Sequence, residues 1–356
     1  MSALFSPLTL RGTTFRNRAW VSPMCQYSAE DGMPGDWHLV NLGARAVGGA
    51  GLVLTEASAV SPEGRISPQD TGFWSDAQAD AWGRVFRFVQ SQGAAVGVQL
   101  AHAGRKASTP RPWEQDRSVV PSEHGGWETV GTSPVPFGRY PAPRELSVAE
   151  LAVVRQDFAD AAVRAHAVGA DVVELHAAHG YLLHTFLSPL SNTRTDGYGG
   201  DFTGRTRFAI EVTEAVREVW PEDKPLFFRI SASDWAEGGW TLEETVELGK
   251  LLADRGVDLM DCSSGGLTMD QQITVGPGYQ VPFAAAVRAG SGLPTGAVGM
   301  ITDAQQAERI LVDGEADAIL LGRELLRDPH WPLRAAHELD VDVTWPDQYV
   351  RARPFA

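Results

Sequence analysis

Residues 171–181 read Asp171-Val-Val-Glu-Leu-His-Ala-Ala-His-Gly-Tyr181. The first half is a short run of β-branched and aliphatic residues. Such a run suits a strand buried on both faces better than a helix. The second half turns polar at once, with two imidazoles three residues apart and a phenol two residues beyond the second. Imidazole N–H donors beside a weak acid can polarise a substrate oxygen and then deliver a proton. Taken alone, the same residues are equally a pair of structural histidines at a strand end. The other strand ends in the chain decide between these readings.

Seven further apolar runs resemble this one: Ala19-Trp-Val-Ser22, Leu52-Val-Leu-Thr55, Val96-Gly-Val-Gln-Leu100, Leu226-Phe-Phe-Arg-Ile230, Asp258-Leu-Met-Asp261, Pro294-Thr-Gly-Ala-Val298 and Ala318-Ile-Leu-Leu321. Most are followed by a polar loop and an amphipathic helical stretch. Ser147-Val-Ala-Glu150 and Thr241-Leu-Glu-Glu244 are capping boxes, in which hydroxyl and carboxylate each satisfy an orphan N–H. Apolar residues at helical spacing then run over 149–168 and 206–219, and Gly169, Gly256 and Gly314 stand where helices hand over to strands. Eight βα units in one chain predict a (β/α)₈ barrel, with residues 1–356 as a single domain. A doubly wound sheet is the alternative, but the Gly-x-Gly-x-x-Gly turn such sheets often carry is absent. Residues 108–146, with Trp113, Trp127 and a Pro/Gly-rich run through Pro143, form a long insert between units three and four. A loop of that length inside a compact domain is expected to act as a lid or binding element.

The net charge of −15 argues against a nucleic-acid or anionic-membrane partner. No uninterrupted apolar run is long enough to span a bilayer, and Met1-Ser-Ala-Leu-Phe-Ser-Pro-Leu lacks the form of a signal peptide. Only two cysteines occur, Cys25 and Cys262, so no disulfide scaffold is expected and a reducing, cytoplasmic setting fits.

In a barrel, the C-terminal ends of all strands face one mouth, where active sites sit. That mouth would gather Pro23-Met-Cys-Gln-Tyr27, Glu56-Ala-Ser58, Gln99-Leu-Ala-His-Ala-Gly-Arg-Lys106, His176 to Tyr181, Arg229-Ile-Ser231, Ser263-Ser-Gly-Gly266, Gly296-Ala-Val-Gly299 and Gly322-Arg323. The last two bear glycines that let backbone N–H groups approach an anion, and Arg323 can pair with it. Barrels often bind phosphate there, so a phosphate-bearing cofactor is expected.

At this level of detail the chain resembles the old yellow enzymes, flavin-dependent ene-reductases built on a (β/α)₈ barrel. The resemblance is carried by Ser22-Pro-Met-Cys-Gln-Tyr27, by Gln99 to Lys106 and by Glu174-Leu-His-Ala-Ala-His-Gly-Tyr-Leu182. Leu187-Ser-Pro-Leu-Ser-Asn192, Arg194-Thr-Asp-Gly-Tyr-Gly-Gly200 and Gly322-Arg-Glu-Leu-Leu-Arg327 carry it further. It runs from about Leu4 to Tyr349. Cys25 followed by Tyr27 is similar to the thermophilic-like branch, which includes bacterial NADPH dehydrogenases and xenobiotic reductases. The resemblance implies non-covalent FMN, with NADPH as hydride donor and no metal. Ser22, Pro23, Met24 and Cys25 would lie against the flavin, with Cys25 modulating its potential. Ala57 and Gln99 would hold the pyrimidine edge, and Arg229 would stand near N1. Ser263 and Gly299 would complete the cradle, while Gly322 and Arg323 would take the phosphate. His176 and His179 would bind a carbonyl or nitro oxygen, and Tyr181 would protonate the α-carbon. Tyr27 and Lys106 would line the site, Lys106 without a defined role. Arg351, or secondarily Arg353, would reach from the tail, residues 341–356, into a neighbouring subunit of a homodimer or homotetramer. The long insert is similar to that of xenobiotic reductases.

Three other classes stay open from sequence alone. A metallohydrolase could use His176, His179 and His184, although the first strand end offers no further ligand histidine or carboxylate. Thiol catalysis could use Cys25 with His176 or His179 as base. A barrel that binds flavin without turnover is the third.

Overall fold

A computed structural model describes residues 2–114 and 119–354 of the chain. Eight parallel strands close into a barrel: β1 (Ala19–Val21), β2 (Leu52–Ala59), β3 (Ala95–Ala101), β4 (Val172–Ala177), β5 (Leu226–Ser231), β6 (Leu259–Ser263), β7 (Thr295–Val298) and β8 (Ala318–Leu321). Each pairs with its sequence neighbours, and β8 closes on β1 through Leu320 opposite Trp20. Among the described residues eight helices of eight residues or more surround them, α1 (Asp36–Val47), α2 (Asp76–Ser91), α3 (Val148–Ala167), α4 (Phe202–Val219), α5 (Leu242–Ala253), α6 (Val281–Ser291), α7 (Ala304–Val312) and α8 (Trp331–Glu338), with shorter helices at Leu182–Leu187 and Arg323–Arg327. This is the (β/α)₈ barrel the alternating pattern called for. Both capping boxes form, at the starts of α3 and α5. The helix-ending Gly169, Gly256 and Gly314 all take positive φ, which a side chain would resist.

The period-two alternation of strands determines what enters the barrel. Val173, Leu175, Phe228, Ile230, Met260 and Cys262 face outward into the packing layer under the helices. Cys262 is therefore a core thiol. The opposite parity points inward. Trp20, Leu52, Leu54, Val172, Phe227, Leu259, Ala318 and Leu320 pack together at the lower end with Leu10 and Phe15. Leu10 and Phe15 belong to a hairpin of Leu8–Leu10 and Thr13–Phe15 that plugs the barrel floor. Glycine makes room for the larger side chains: a Cβ on Gly296 would sit 2.3 Å from Leu320 Cδ1. Above this apolar plug the inward residues become polar.

The insert, residues 108–146, is tied down where it is described; its residues 115–118 lie outside the described residues. Val120 N donates to Ser108 O at 2.7 Å, and Trp127 Nε1 donates to Glu63 O at 2.9 Å. Arg194, 6% exposed, donates to the carbonyls of Thr132 and Leu146, stitching the insert to the β4–α4 connection. Among the described residues no helix is long and apolar enough to cross a membrane.

Candidate active site

His176, next to last in β4, points inward, and the chain then makes a tight turn in which His179 and Gly180 both adopt positive φ, 61° and 75°. A histidine in that conformation is held by its surroundings. His179 N donates to Ser231 Oγ at 2.9 Å, and Lys106 Nζ donates to His179 O at 2.8 Å and to the Gly266 carbonyl. The turn needs Gly180, since a Cβ there would meet Gly266 O at 2.4 Å. Below it, Gly180 N donates to His184 Nδ1 at 2.8 Å, and His184 Nε2 donates to Asp234 Oδ1 at 2.9 Å. Both ring nitrogens of His184 are thus committed in the core. The three-histidine metal site does not assemble.

The turn brings the expected groups together. The His176 ring stands edge-on to those of His179 and Tyr181, with centroids 5.2 and 5.0 Å away. Beside them a cleft of about 370 Å³ is lined by Tyr27, Lys106 and Tyr181 and by insert residues including Thr109, Phe137 and Tyr140. The insert's tryptophans do not line it; Trp113 stands edge-on to Tyr27 at 5.8 Å, and Arg65 stacks on Trp127.

Burial and the positive charge of Arg229 hold His176 and His179 well below the usual imidazole range, so both rings are neutral at pH 7. The tautomer of His176 follows from its contacts. Nδ1 accepts from Ala178 N at 3.3 Å, which leaves the proton on Nε2. His179 Nε2 lies 2.7 Å from Ser263 Oγ. Where Nε2 accepts from that hydroxyl, Nδ1 carries the second donor. Burial, followed by the nearby Cys25 and Tyr27, raises the Tyr181 phenol well above its ordinary value, so it keeps its proton. Burial, then Asp70 and Glu56, raises the Cys25 thiol in the same way. A protonated thiol is a poor nucleophile, which argues against thiol catalysis. Cys25, Glu56 and Asp70 are the grouping among the described residues whose ligand atoms, all within 4.8 Å of one another, could hold a metal. Glu56 is already engaged by His38 Nε2 at 3.1 Å and by Gln26 N at 2.8 Å.

The residues assigned to a flavin fit one. Ser22, Ala57, Gln99, Arg229 and Ser263 are buried around the inner wall, with Pro23, Met24 and Cys25 partly covered at the rim. Arg229 is 6% exposed, and its guanidinium meets one carboxylate, Asp261 at 3.1 Å. Its two terminal nitrogens have no partner among the described residues, a donor pair suited to the electronegative edge of a ring. On the opposite side, Gly299, Gly322 and Arg323 line a cleft of about 180 Å³ with Met300 and Arg327. Gly299 has φ 122°, and a Cβ on Gly322 would enter open space bounded by Met24 Sδ at 3.6 Å. Arg351 is not part of this constellation: it lies exposed in a short 3₁₀ helix, Asp347–Ala352, and lines neither cleft.

Three features escape a reading by motif. Lys106 braces the His179 turn from below as well as lining the cleft. Asp234 anchors His184. A buried tier of Gln99, Glu174, Arg229 and Asp261 lies between the apolar plug and the imidazoles. Its signal was present as polar residues at the inward parity of four successive strands.

Comparison with known proteins agrees with this geometry. A family model described as the NADH:flavin oxidoreductase / NADH oxidase family, with FMN in its name, matches residues 3–342. The chain is 47% identical over 357 residues to an NADPH dehydrogenase of Geobacillus thermodenitrificans, covering 99% of each. It is 44% identical over 350 residues to an NADPH dehydrogenase of Bacillus subtilis, covering 98% of each. The solved structure of morphinone reductase in complex with tetrahydroNAD superposes with TM-score 0.79 at 28% identity, over 97% of this chain and 92% of that one. A barrel closed around a donor-lined flavin cradle and a family match across nearly the whole chain lead to one conclusion: the protein belongs to the FMN-dependent NADH:flavin oxidoreductase / NADH oxidase family, that of the old yellow enzymes.

Proposed function

We propose that the protein is an NADPH-dependent ene-reductase acting on C=C bonds conjugated to a carbonyl or nitro group, such as enones, maleimides and nitroalkenes. Nitro compounds and nitrate esters would also fit a site that grips one polarised oxygen. The observation that carries this reading is the pair of neutral imidazoles beside a protonated phenol, above a buried guanidinium with unpaired donors. FMN reduced by NADPH supplies the hydride that reaches the β-carbon. The chain does the rest. His176 Nε2–H and a His179 N–H hold the substrate oxygen as negative charge grows on it, a stabilisation that needs neutral donors already in place. Tyr181 gives its proton to the α-carbon. Tyr27 and Phe137 shape the cleft, and the insert, as its outer wall, sets which substrates enter.

Nicotinamide and alkene would use the same cleft in turn, giving ping-pong turnover. We also propose a homodimer or homotetramer in the cytoplasm, in which Arg351 enters a neighbouring copy's site. An apolar groove lined by Leu333, Trp345, Tyr349 and Pro354 beside that arginine supports such a contact. The test is the visible spectrum of purified protein, followed by anaerobic titration with NADPH and reoxidation with cyclohexenone. Yellow protein that bleaches and recovers is expected. Colourless protein that FMN cannot reconstitute, or bleached protein that no activated alkene reoxidises, would overturn the reading.

A further inference from the structure

The tier beneath the imidazoles holds more charge than the mechanism uses. Glu174 on β4 and Asp261 on β6 are fully buried, and Arg229 on β5 is 6% exposed. Inward parity brings them together: Gln99 pairs in register with Glu174, and Asp261 with Arg229, which is itself level with His176. Of the four carboxylate oxygens, Glu174 Oε1 accepts from Gln99 Nε2 at 2.8 Å. Among the described residues Glu174 Oε2 and both oxygens of Asp261 have no hydrogen-bond partner, and Arg229 Nε approaches Asp261 Oδ2 only as an ion pair at 3.1 Å.

Two carboxylates and one guanidinium would together carry a net negative charge in a space closed to water. An uncompensated buried ion is costly, and the usual resolution is to keep a proton. Which carboxylate keeps it follows from the partners. Asp261 has the guanidinium beside it, whereas the hydrogen-bond partner of Glu174 is a neutral amide. We propose that Glu174 holds a proton as a neutral acid beneath the cofactor site, and that its ionisation is linked to the charge carried above Arg229. This rests on the flavin reading only in its second half.

Burial raises both carboxyls, opposed at Asp261 by the adjacent Arg229; at Glu174, burial and then the charge of Asp261 push the carboxyl up to about 8, with Arg229 and the Gln99 amide opposing. The ionisable groups facing it are Arg229 and Asp261, with neutral His176 above on the same strand. A negative charge arriving near Arg229 competes for the guanidinium and favours the protonated acid further. Above pH 8 the two-electron reduction of the bound cofactor would then draw one additional proton from solvent onto Glu174. Below that pH no extra proton would be taken, because the acid is already neutral.

The experiment uses the full chain as purified, with ¹³C-labelled glutamate. Infrared spectra across pH 6–10 should show one buried carboxylic-acid C=O band that disappears near pH 8. Glu174→Gln should lack it. A wild-type spectrum without the band at any pH, or a band retained in Glu174→Gln, overturns the first half. This readout does not need flavin, so its failure is distinct from that of the ene-reductase reading. With FMN bound, the midpoint potential of the wild type should fall more steeply with pH above about 8, and Glu174→Gln should lose that bend. Parallel curves for the two proteins overturn the linkage. Should Glu174→Gln fail to fold, Asp261→Asn serves instead. It should move the band's titration down by more than one pH unit, and an unmoved titration refutes the coupling.

Discussion

Replacing Asp234 by alanine should both destabilise the barrel and blunt alkene reduction. The Asp234 carboxylate is fully buried and accepts from His184 Nε2 at 2.9 Å, Ser188 Oγ at 2.6 Å and Trp240 N at 2.7 Å. Alanine leaves all three donors in a dry site. Each buried donor without a partner costs ~1–3 kcal/mol, while the Ser188 hydroxyl can turn elsewhere. Breaking a buried charged network of this kind typically costs ~3–5 kcal/mol in total, and we expect about 4 kcal/mol. With a urea slope of about 3 kcal/mol/M, the unfolding midpoint should fall by more than about 1 M. The pH dependence has a definite sign. Burial alone would raise the Asp234 carboxyl, but His184, Ser188 and Trp240 N–H more than offset it and hold it below its ordinary value. Its stabilisation is therefore complete above the unfolded value of about 3.9 and lost as pH falls through the lower folded value. The difference between wild type and variant should be flat from about pH 5 to 8 and shrink below about pH 4. Because His184 also accepts from Gly180 N, the turn carrying His179 and Tyr181 should loosen. Alkene reduction should slow more than reduction by NADPH. A variant within about 0.5 kcal/mol of wild type, the range of ordinary surface changes, would refute this account of the network.

Tyr181→Phe should slow alkene reduction by roughly 10²–10⁴-fold while leaving flavin reduction by NADPH largely intact, and stopped-flow separation of the half-reactions checks it; equal losses in both would remove Tyr181 as proton donor. His176→Ala should weaken a phenol ligand that mimics the substrate oxyanion by roughly tenfold or more, read as a spectral titration, since a hydrogen bond to a charged group contributes about 1.5–3 kcal/mol. Cys25→Ala should shift the flavin midpoint potential, and an unaltered potential would leave Cys25 a packing residue. Lys106→Met should impair alkene turnover through the His179 turn, whose carbonyl loses its ammonium donor, with little change in flavin content; an unchanged rate would reduce Lys106 to lining.

The barrel was legible because its evidence is local. Eight short apolar runs, capping boxes at Ser147 and Thr241 and glycines at helix ends are each read within a dozen residues. The imidazole pair and Tyr181 were legible for the same reason, since they follow one strand within six residues. His184 shows the limit. Its spacing joins it to His176 and His179 in sequence, yet the short helix Leu182–Leu187 turns it into the core toward Asp234, fifty residues away.

Sequence by itself determined the fold, the mouth and the identity of most groups that meet there. It did so because strand parity and helix capping depend on near neighbours. Only the tertiary structure decided protonation and orientation. Neutral imidazoles, a retained phenol proton, the brace from Lys106 and the sealed tier of Glu174, Arg229 and Asp261 all arise from burial and charges on separate strands. Those fields exist only once the sheet has closed and water has been excluded.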